Sequence, residues 1–189
     1  MTTAASIGTF VVIGGTAVAA LIQLRHMRSS NQISALTEVR ATLESERFAE
    51  ARRFVAEEVP KLLSTPAGRE QLGAPPPMPR DLESIRMLAN FFENVGAFVR
   101  QGIIDRELAC ALWGGVVLET WQNLEPVVAI RRHITPGVWE HFEYLTVTAQ
   151  KWQRLHPQGS YPAGVRRMEF SKRSRKAEAA FLAEKEKRA

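Results

Sequence analysis

The sequence predicts an all-α protein, with one N-terminal transmembrane helix followed by an antiparallel bundle of about four helices. Residues 4–24 contain no charged side chain, and about twenty apolar residues are enough to cross a bilayer as a helix. After them, apolar residues recur at three- and four-residue steps, and glycine and proline lie in clusters between these segments. Strand-like alternation is not sustained in any segment, so helices are expected throughout.

The predicted span, which leaves residues 1–3 as a short end, is interpreted as a retained anchor. A cleaved signal peptide would need a basic segment before a shorter apolar run, and no Lys or Arg precedes residue 4. Arg25 and Arg28 follow the span directly. The positive-inside tendency therefore predicts an outer N-terminus and a cytoplasmic C-terminal part. The single Cys110 cannot form an internal disulfide and so gives no sign of an oxidising compartment.

Small residues inside the span offer a surface for helix pairing. Gly15 and Ala19 have the small-xxx-small spacing, which lets two helix backbones approach closely in a membrane. A homo-oligomer through the membrane helix is one interpretation. The alternative is that glycine and alanine are simply common in such helices.

Beyond the span, the chain divides at its prolines and glycines. Residues 25–63 are predicted as a juxtamembrane stalk helix that packs into the bundle, with Pro60 expected to end or kink it. Residues 64–80 form a Pro/Gly-rich loop. Residues 81–157 carry the bundle core, and residues 158–189 form a basic tail, partly helical or disordered.

The core segments carry recognisable start and stop signals. Asp81 and Asp105 are predicted N-caps, because an aspartate carboxylate accepts from the free amides of a first helical turn. Gly102 is the expected left-handed residue at the end of the helix that Asp81 begins. Thr135 and Pro136 are expected to start the last core helix, since proline suits the first helical position.

The helix after Asp105 is predicted to bury one apolar stripe, and Gly114 and Gly115 within it are expected to permit a close helix crossing. The stripe repeats at four- and three-residue steps over most of its length. Other apolar residues, among them Trp113 and Val117, lie beside it. The predicted stripe consists of Leu108, Leu112, Val116, Leu124 and Val127.

The net charge of +5 lies entirely in the tail, because residues 1–165 balance and residues 166–189 hold nine Lys/Arg and four Glu. The basic cluster could contact anionic lipid headgroups or nucleic-acid phosphates. The alternative is a solvated tail that keeps the chain soluble, and nucleic acid is the least favoured of the three. The cluster comprises Arg166, Arg167, Lys172, Arg173, Arg175 and Lys176.

No pattern of a catalytic, cofactor or metal site is found. The four histidines lack metal-motif spacing, and no serine or cysteine lies in a nucleophile motif. Glu119 is expected to be partly buried and paired with Arg86, Arg100 or Arg131, in an ion pair that fixes helix register. An enzyme that uses a buried carboxylate between the helices is the alternative. The carboxylates of this aromatic stretch are Glu93, Asp105, Glu107, Glu119 and Glu125.

Residues 90–132 contain two adjacent aromatics, an acidic residue, a turn with glycine and aspartate, and a Trp-containing helix. This pattern resembles a bacterial family, domain of unknown function 4760, over roughly residues 28–157. The resemblance implies an all-α, membrane-anchored bacterial protein and implies no reaction. The residues that carry it are Phe91, Phe92, Glu93, Gly102, Asp105 and Trp121.

Together these patterns predict a single-pass protein of the bacterial inner membrane with a cytoplasmic helical domain. The expected function is a non-catalytic interaction or scaffold module that contacts the lipid bilayer and another protein. The alternative is a membrane-tethered binder of nucleic acid or anionic headgroups through the basic tail.

Overall fold

The computed structural model describes residues 32–162 and 164–187, together with residues 16, 19, 20, 22, 23 and 27. All regular secondary structure in this part of the chain is helical, which confirms the all-α prediction. The described helices outnumber the predicted four. They are α1 (residues 32–43), α2 (Glu46–Ser64), α3 (Pro66–Leu72), α4 (Glu83–Arg100), α5 (Arg106–Arg132), α6 (Glu140–Leu155) and α7 (Lys172–Glu186), with a 3₁₀ turn at Arg80–Leu82 before α4.

The chain divides into two compact units, Met1–Pro157 and Gln158–Ala189. Helices α1 to α6 belong to the first unit, and α7 belongs to the second. The buried apolar residues form one cluster, to which α1 to α6 all contribute, whereas α7 buries no residue. The two units therefore differ in whether their helices share a core.

The predicted stalk of residues 25–63 is not one helix, because the chain turns at residues 44–45. The Ser45 hydroxyl accepts from the Phe48 amide at 3.2 Å and so caps a new helix, α2. Pro60 does not end α2, which continues to Ser64. The stop comes at Thr65, whose hydroxyl accepts from the Gly68 amide at 3.1 Å and caps α3.

Helix α4 lies at the centre of the core and packs most extensively against α6. Phe92 on α4 contacts an aromatic ring on each side. Its ring centroid lies 5.9 Å from that of Phe48 on α2, edge to face, and 5.1 Å from that of Phe142 on α6, stacked. All three rings are fully buried, and burying a phenylalanine side chain stabilises a fold by about 1.5–3 kcal/mol.

Helix α6 begins at Glu140, so the predicted start at Thr135 and Pro136 is wrong. Residues 133–139 form turns instead, and Trp139 precedes the helix with a left-handed backbone, φ 57°. No side chain from this segment caps α6. The cap comes from α4, because Glu93 Oε2 accepts from the Phe142 amide at 2.9 Å.

Of the other three predicted start and stop signals, two are confirmed and one is wrong. Asp105 Oδ1 accepts from the Leu108 amide at 2.8 Å and caps α5. Gly102 adopts a left-handed backbone, φ 68°, just after α4. Asp81 does not cap α4, whose N-cap is Leu82; it lies in the 3₁₀ turn and its carboxylate accepts from Gln71.

Helix α5 buries a different face from the predicted one. Leu124 and Val127 are buried as expected, but Leu112 is 59% exposed and Leu108 is also at the surface. Gly114 and Gly115 are not needed for a close crossing, since a Cβ on either would meet at most an ordinary van der Waals contact. The buried face runs through Ala109, Cys110, Trp113, Gly114, Val117, Thr120, Leu124, Val127, Val128 and Arg131.

Within the described residues, no helix combines the length and apolarity that a membrane crossing requires. Most of the predicted span, residues 4–24, lies outside the described residues. Gly15, half of the predicted pairing motif, is also outside them. Ala19, the other half, is helical and exposed.

Candidate interaction surfaces

An apolar groove lies between α1, α2 and α5, with a cavity of about 590 Å³. Leu112 and Ile33 on its walls are 59% and 61% exposed. Soluble surfaces seldom gather large apolar side chains in one concave patch unless something binds there. The apolar lining of the groove is Ile33, Leu36, Leu43, Leu112, Trp113 and Val116.

The charged residues around the apolar groove are already paired with one another. Arg40 Nε lies 2.8 Å from Glu44 Oε1 along α1, and Arg52 Nη2 lies 2.6 Å from Glu119 Oε2 between α2 and α5. Each positive charge is therefore matched by a negative one. The groove presents an apolar floor with a rim that has no net charge.

Glu119 has an ion-pair partner, but the partner is Arg52 and not Arg86, Arg100 or Arg131. The expected burial of Glu119 is also wrong, since its side chain is 59% exposed. Exposed pairs of this kind contribute about 0–1 kcal/mol. The pair ties α2 to α5 at the edge of the groove without being buried.

The Glu93 carboxylate makes two contacts that join α4 to α6. Besides capping α6, it lies 2.8 Å from His141 Nδ1. Arg100 Nη1 lies 3.3 Å from His141 Nε2, and because a guanidinium can only donate, Nε2 accepts and Nδ1 carries the proton toward Glu93. Glu93 thus belongs to a structural network that joins α4 to α6, and it does not line the apolar groove.

Two further carboxylates also have structural partners. Asp105 caps α5, and Glu107 Oε2 accepts from Trp152 Nε1 at 2.8 Å.

Cys110 is buried near Glu107, and burial, with a smaller contribution from the Glu107 charge, raises the pKa of this thiol to about 11. A thiol that stays protonated at neutral pH is a poor nucleophile.

Sequence comparison places this helical body in a family. Residues 10–152 match a domain of unknown function, DUF4760. The chain belongs to this family. The match confirms the resemblance seen in the sequence, and it covers the apolar groove but ends before the basic tail. No curated protein and no solved structure matches the chain.

Outside the DUF4760 region, α7 carries four of the six basic residues predicted as anion contacts, within its first two turns. Ser171 caps the helix by accepting from the Ser174 amide at 3.2 Å. The first turn contains no acidic residue, and α7 has no buried residue. The four are Lys172, Arg173, Arg175 and Lys176.

The other two predicted contacts, Arg166 and Arg167, lie before α7 and already have partners. Arg166 pairs with Glu169. The Arg167 guanidinium lies 5.0 Å from the centre of the Tyr161 ring and also donates to the Gln158 carbonyl at 2.8 Å. At the start of α7, Arg175 Nε donates to the Phe170 carbonyl at 3.2 Å. Among the described residues, Lys172, Arg173 and Lys176 form no ion pair and no side-chain hydrogen bond.

The exposure of Leu112 was missed because two overlapping stripes run along α5. The stripe through Leu108, Leu112 and Val116 is interrupted after Val116 and resumes only at Leu124. The stripe through Trp113 and Val117 continues at three- and four-residue steps to the end of the helix. Continuity of a stripe over the whole helix was the available signal for its buried face.

Proposed function

We propose that the chain is a membrane-tethered, non-catalytic interaction module whose apolar groove binds an amphipathic helix of another protein. The observation that carries this proposal is the exposed apolar lining of the groove, with Leu112 59% and Ile33 61% exposed. Helix-in-groove binding uses an apolar face of this kind. Residues 4–24 supply the proposed anchor in a bacterial inner membrane, with the helical domain in the cytoplasm.

The dimensions of the apolar groove favour a helix as its occupant. Its α1 wall extends from Ile33 to Leu43, which at 1.5 Å per residue is about 15 Å, or nearly three helical turns. A partner helix of that length would place an apolar residue in the groove at each turn. Such a ligand fits better than a small polar molecule, because the floor is mainly aliphatic.

The charges around the groove restrict the partner further. Arg40 pairs with Glu44, and Arg52 pairs with Glu119. A highly charged partner would have to compete with these existing pairs. The expected partner helix therefore has an apolar stripe and little net charge, and its affinity comes from buried apolar area.

Site-specific photo-crosslinking in the native membrane tests this proposal. A photoreactive amino acid at position 112 should give a discrete product that contains one other protein, and the same probe at the exposed Glu125, elsewhere on α5, should not. The captured protein's helix, made as a synthetic peptide, should bind the full-length chain. Leu112→Asp should weaken that binding about tenfold or more, because it places a charge in an apolar interface.

Three outcomes would overturn the partner-helix proposal. Equal capture from positions 112 and 125 would show non-specific contact. A product of two identical chains would assign the groove to self-association. Peptide binding that Leu112→Asp leaves unchanged would show that the groove is not the binding surface.

A second candidate function concerns α7 and anionic lipid headgroups. Four basic residues crowd the first two turns of α7, where the positive end of the helix dipole disfavours cations. A negatively charged surface would relieve this repulsion, and each basic residue near such a membrane contributes roughly 1 kcal/mol. The proposed anchor would keep this segment close to the bilayer.

The test uses the full-length chain with Cys110→Ala and a polarity-sensitive dye at Ala177→Cys, in nanodiscs. Anionic phosphatidylglycerol discs should shift the dye emission relative to phosphatidylcholine discs, and high salt should reverse the shift. Neutralising Lys172, Arg173, Arg175 and Lys176 to glutamine should abolish it. Matched Lys185→Gln and Lys187→Gln changes should have little effect. If the dye emission is the same in both lipids and shifts only when RNA is added, the basic residues of α7 would be assigned to nucleic acid.

A further inference from the structure

A second cavity, the arginine pocket, lies between the segment after α3, the start of α4 and the turns that precede α6. Its volume is about 570 Å³, and it is separate from the apolar groove. Three arginines from three different segments line it, together with one carboxylate. The residues that define it here are Arg80, Glu83, Arg86, Asn90, Arg131 and Trp139.

Arg131 is the unusual member, because it is a charged side chain that is only 6% exposed. Its Nη1 donates to the backbone carbonyls of Leu72, at 3.5 Å, and Ala74. Within the described residues, its buried Nε has no hydrogen-bond acceptor, and no Asp or Glu forms an ion pair with it. An arginine stays charged in proteins, and a buried charge is costly without a counter-charge.

The neighbours of Arg131 leave the pocket with an excess of positive charge. Arg86 pairs with Glu83, and this hydrogen bond lowers the pKa of the Glu83 carboxyl. Arg80 is exposed and has no ion-pair partner in the described part of the chain. Three guanidinium groups and one carboxylate therefore give an excess of two positive charges.

One wall of the arginine pocket is a fixed aromatic surface. Trp139 is 6% exposed, and its Nε1 donates to Asn90 Oδ1 at 2.9 Å. Its backbone is left-handed, which is rare for a bulky residue. Pro76, Pro77 and Val138 add apolar surface. The pocket thus combines unpaired guanidinium donors with a rigid apolar wall.

We propose that the arginine pocket binds the phosphate group of a small phosphorylated molecule, through Arg131 and Arg80. A guanidinium fork matches phosphate oxygens in geometry. A phosphate monoester carries a charge of about −1.5 to −2 at pH 7, which matches the excess of the pocket better than a single carboxylate does. The organic part of the ligand packs on Trp139. The phosphate comes from a free metabolite or from a lipid headgroup.

Calorimetric titration of the full-length chain in phosphatidylcholine nanodiscs, at constant ionic strength, tests the proposal with glycerol 3-phosphate as the probe. We expect saturable binding of one molecule per chain, and none of glycerol. Arg80→Gln should weaken binding about tenfold, the usual effect of losing one charged hydrogen bond. Arg154→Gln, an exposed charge change on α6, should leave binding unchanged.

A second variant and a second lipid make the test decisive. Arg131→Lys keeps the charge but loses the fork, and should weaken binding in a chain whose circular dichroism shows it folded. Phosphatidic acid nanodiscs should abolish binding of the free probe if the headgroup occupies the pocket, and should leave it unchanged if a free metabolite does. Any of three results would overturn the proposal. They are no saturable binding of glycerol 3-phosphate up to about 10 mM, a concentration that would detect even a millimolar Kd, equal binding of succinate, and undiminished binding by Arg80→Gln.

Discussion

Helices α6 and α7 are almost equal in length, 16 and 15 residues, but they are stabilised in different ways. Helix α6 buries Phe142, Leu145, Thr146 and Ala149, whereas α7 has no buried residue. The first turn of α6 is capped by a carboxylate from α4, and that of α7 by its own Ser171. The comparison separates a helix formed by packing from one formed by local signals.

The difference is also visible in the sequences of the two helices. Helix α7 is rich in alanine, lysine and glutamate, which favour helix in isolation. Helix α6 contains two threonines and four aromatic rings, those of His141, Phe142, Tyr144 and Trp152, which are residue types of lower intrinsic helix propensity. The core therefore has to supply what the α6 sequence lacks, and changes at the α4–α6 contact should be the most damaging.

The largest expected effect comes from Gly96→Ala on α4. A Cβ at position 96 would overlap the backbone carbonyl of His141, so α6 would have to move away from α4. We expect the free energy of unfolding to fall by about 3 kcal/mol, the upper part of the range for overpacked cores. Urea unfolding followed by tryptophan fluorescence measures this loss, because all four tryptophans lie outside α7.

Gly115→Ala on α5 is the matched control. Apart from its chain neighbours and the backbone of α5 itself, no atom lies within 4 Å of a Cβ added there, and alanine favours a helix by about 1 kcal/mol over glycine. The control should therefore be neutral or slightly stabilising. Equal losses at positions 96 and 115 would contradict the close approach of α4 and α6.

The second prediction concerns Glu93, which supplies the missing cap of α6. Glu93→Ala removes the acceptor for the Phe142 amide and the partner of His141. Leaving these donors unsatisfied should cost about 2 kcal/mol, and Glu93→Gln, which keeps one oxygen acceptor, should cost less. Asp105→Ala, the loss of an ordinary cap within its own helix, should cost about 1 kcal/mol. A smaller loss for Glu93→Ala than for Asp105→Ala would show that the cap from α4 is dispensable.

The difference between local and distant helix signals also explains which parts of the fold the sequence could predict. Asp105 and Gly102 act on residues a few positions away, and both predictions are confirmed. The start of α6 was misplaced at Thr135 because its cap, Glu93, lies nearly fifty positions earlier in the chain. A cap supplied by another helix leaves no local signal.

The candidate surfaces differ in the same way. The basic residues of α7 could be read directly as a charge cluster. The apolar groove and the arginine pocket could not, because each combines side chains from at least three segments. Residues 1–165 carry no net charge. This balance conceals a local excess of positive charge at Arg80 and Arg131, which only the fold brings together.

The third prediction uses Cys110, which lies on α5 beside Tyr144 and Thr148 of α6. Burial raises the pKa of its thiol from 9.0 to about 11 in the folded chain. Because the folded chain holds this proton more tightly than the unfolded chain, the thiol's contribution is fully present below pH 9 and is lost between pH 9 and 11. The expected loss is about 1–2 kcal/mol.

Urea unfolding at pH 8 and at pH 11 measures this effect as a difference between the natural chain and Cys110→Ala. Other groups that titrate in this range contribute equally to both chains and cancel. The natural chain should lose more stability than the variant on going to pH 11. Identical losses would mean that the thiol is already hydrated, and that α6 covers α5 less tightly than its buried residues indicate.

The smallest expected effect on the body is that of Ser171→Ala at the start of α7. The change removes the acceptor for the Ser174 amide, which should destabilise α7 itself by about 1 kcal/mol and lower the helical signal in circular dichroism. Because α7 has no buried residue, the free energy of unfolding followed by tryptophan fluorescence should change by less than about 0.5 kcal/mol. A larger shift would show that α7 and the body unfold together, and the contrast between a packed and a locally encoded helix would no longer hold.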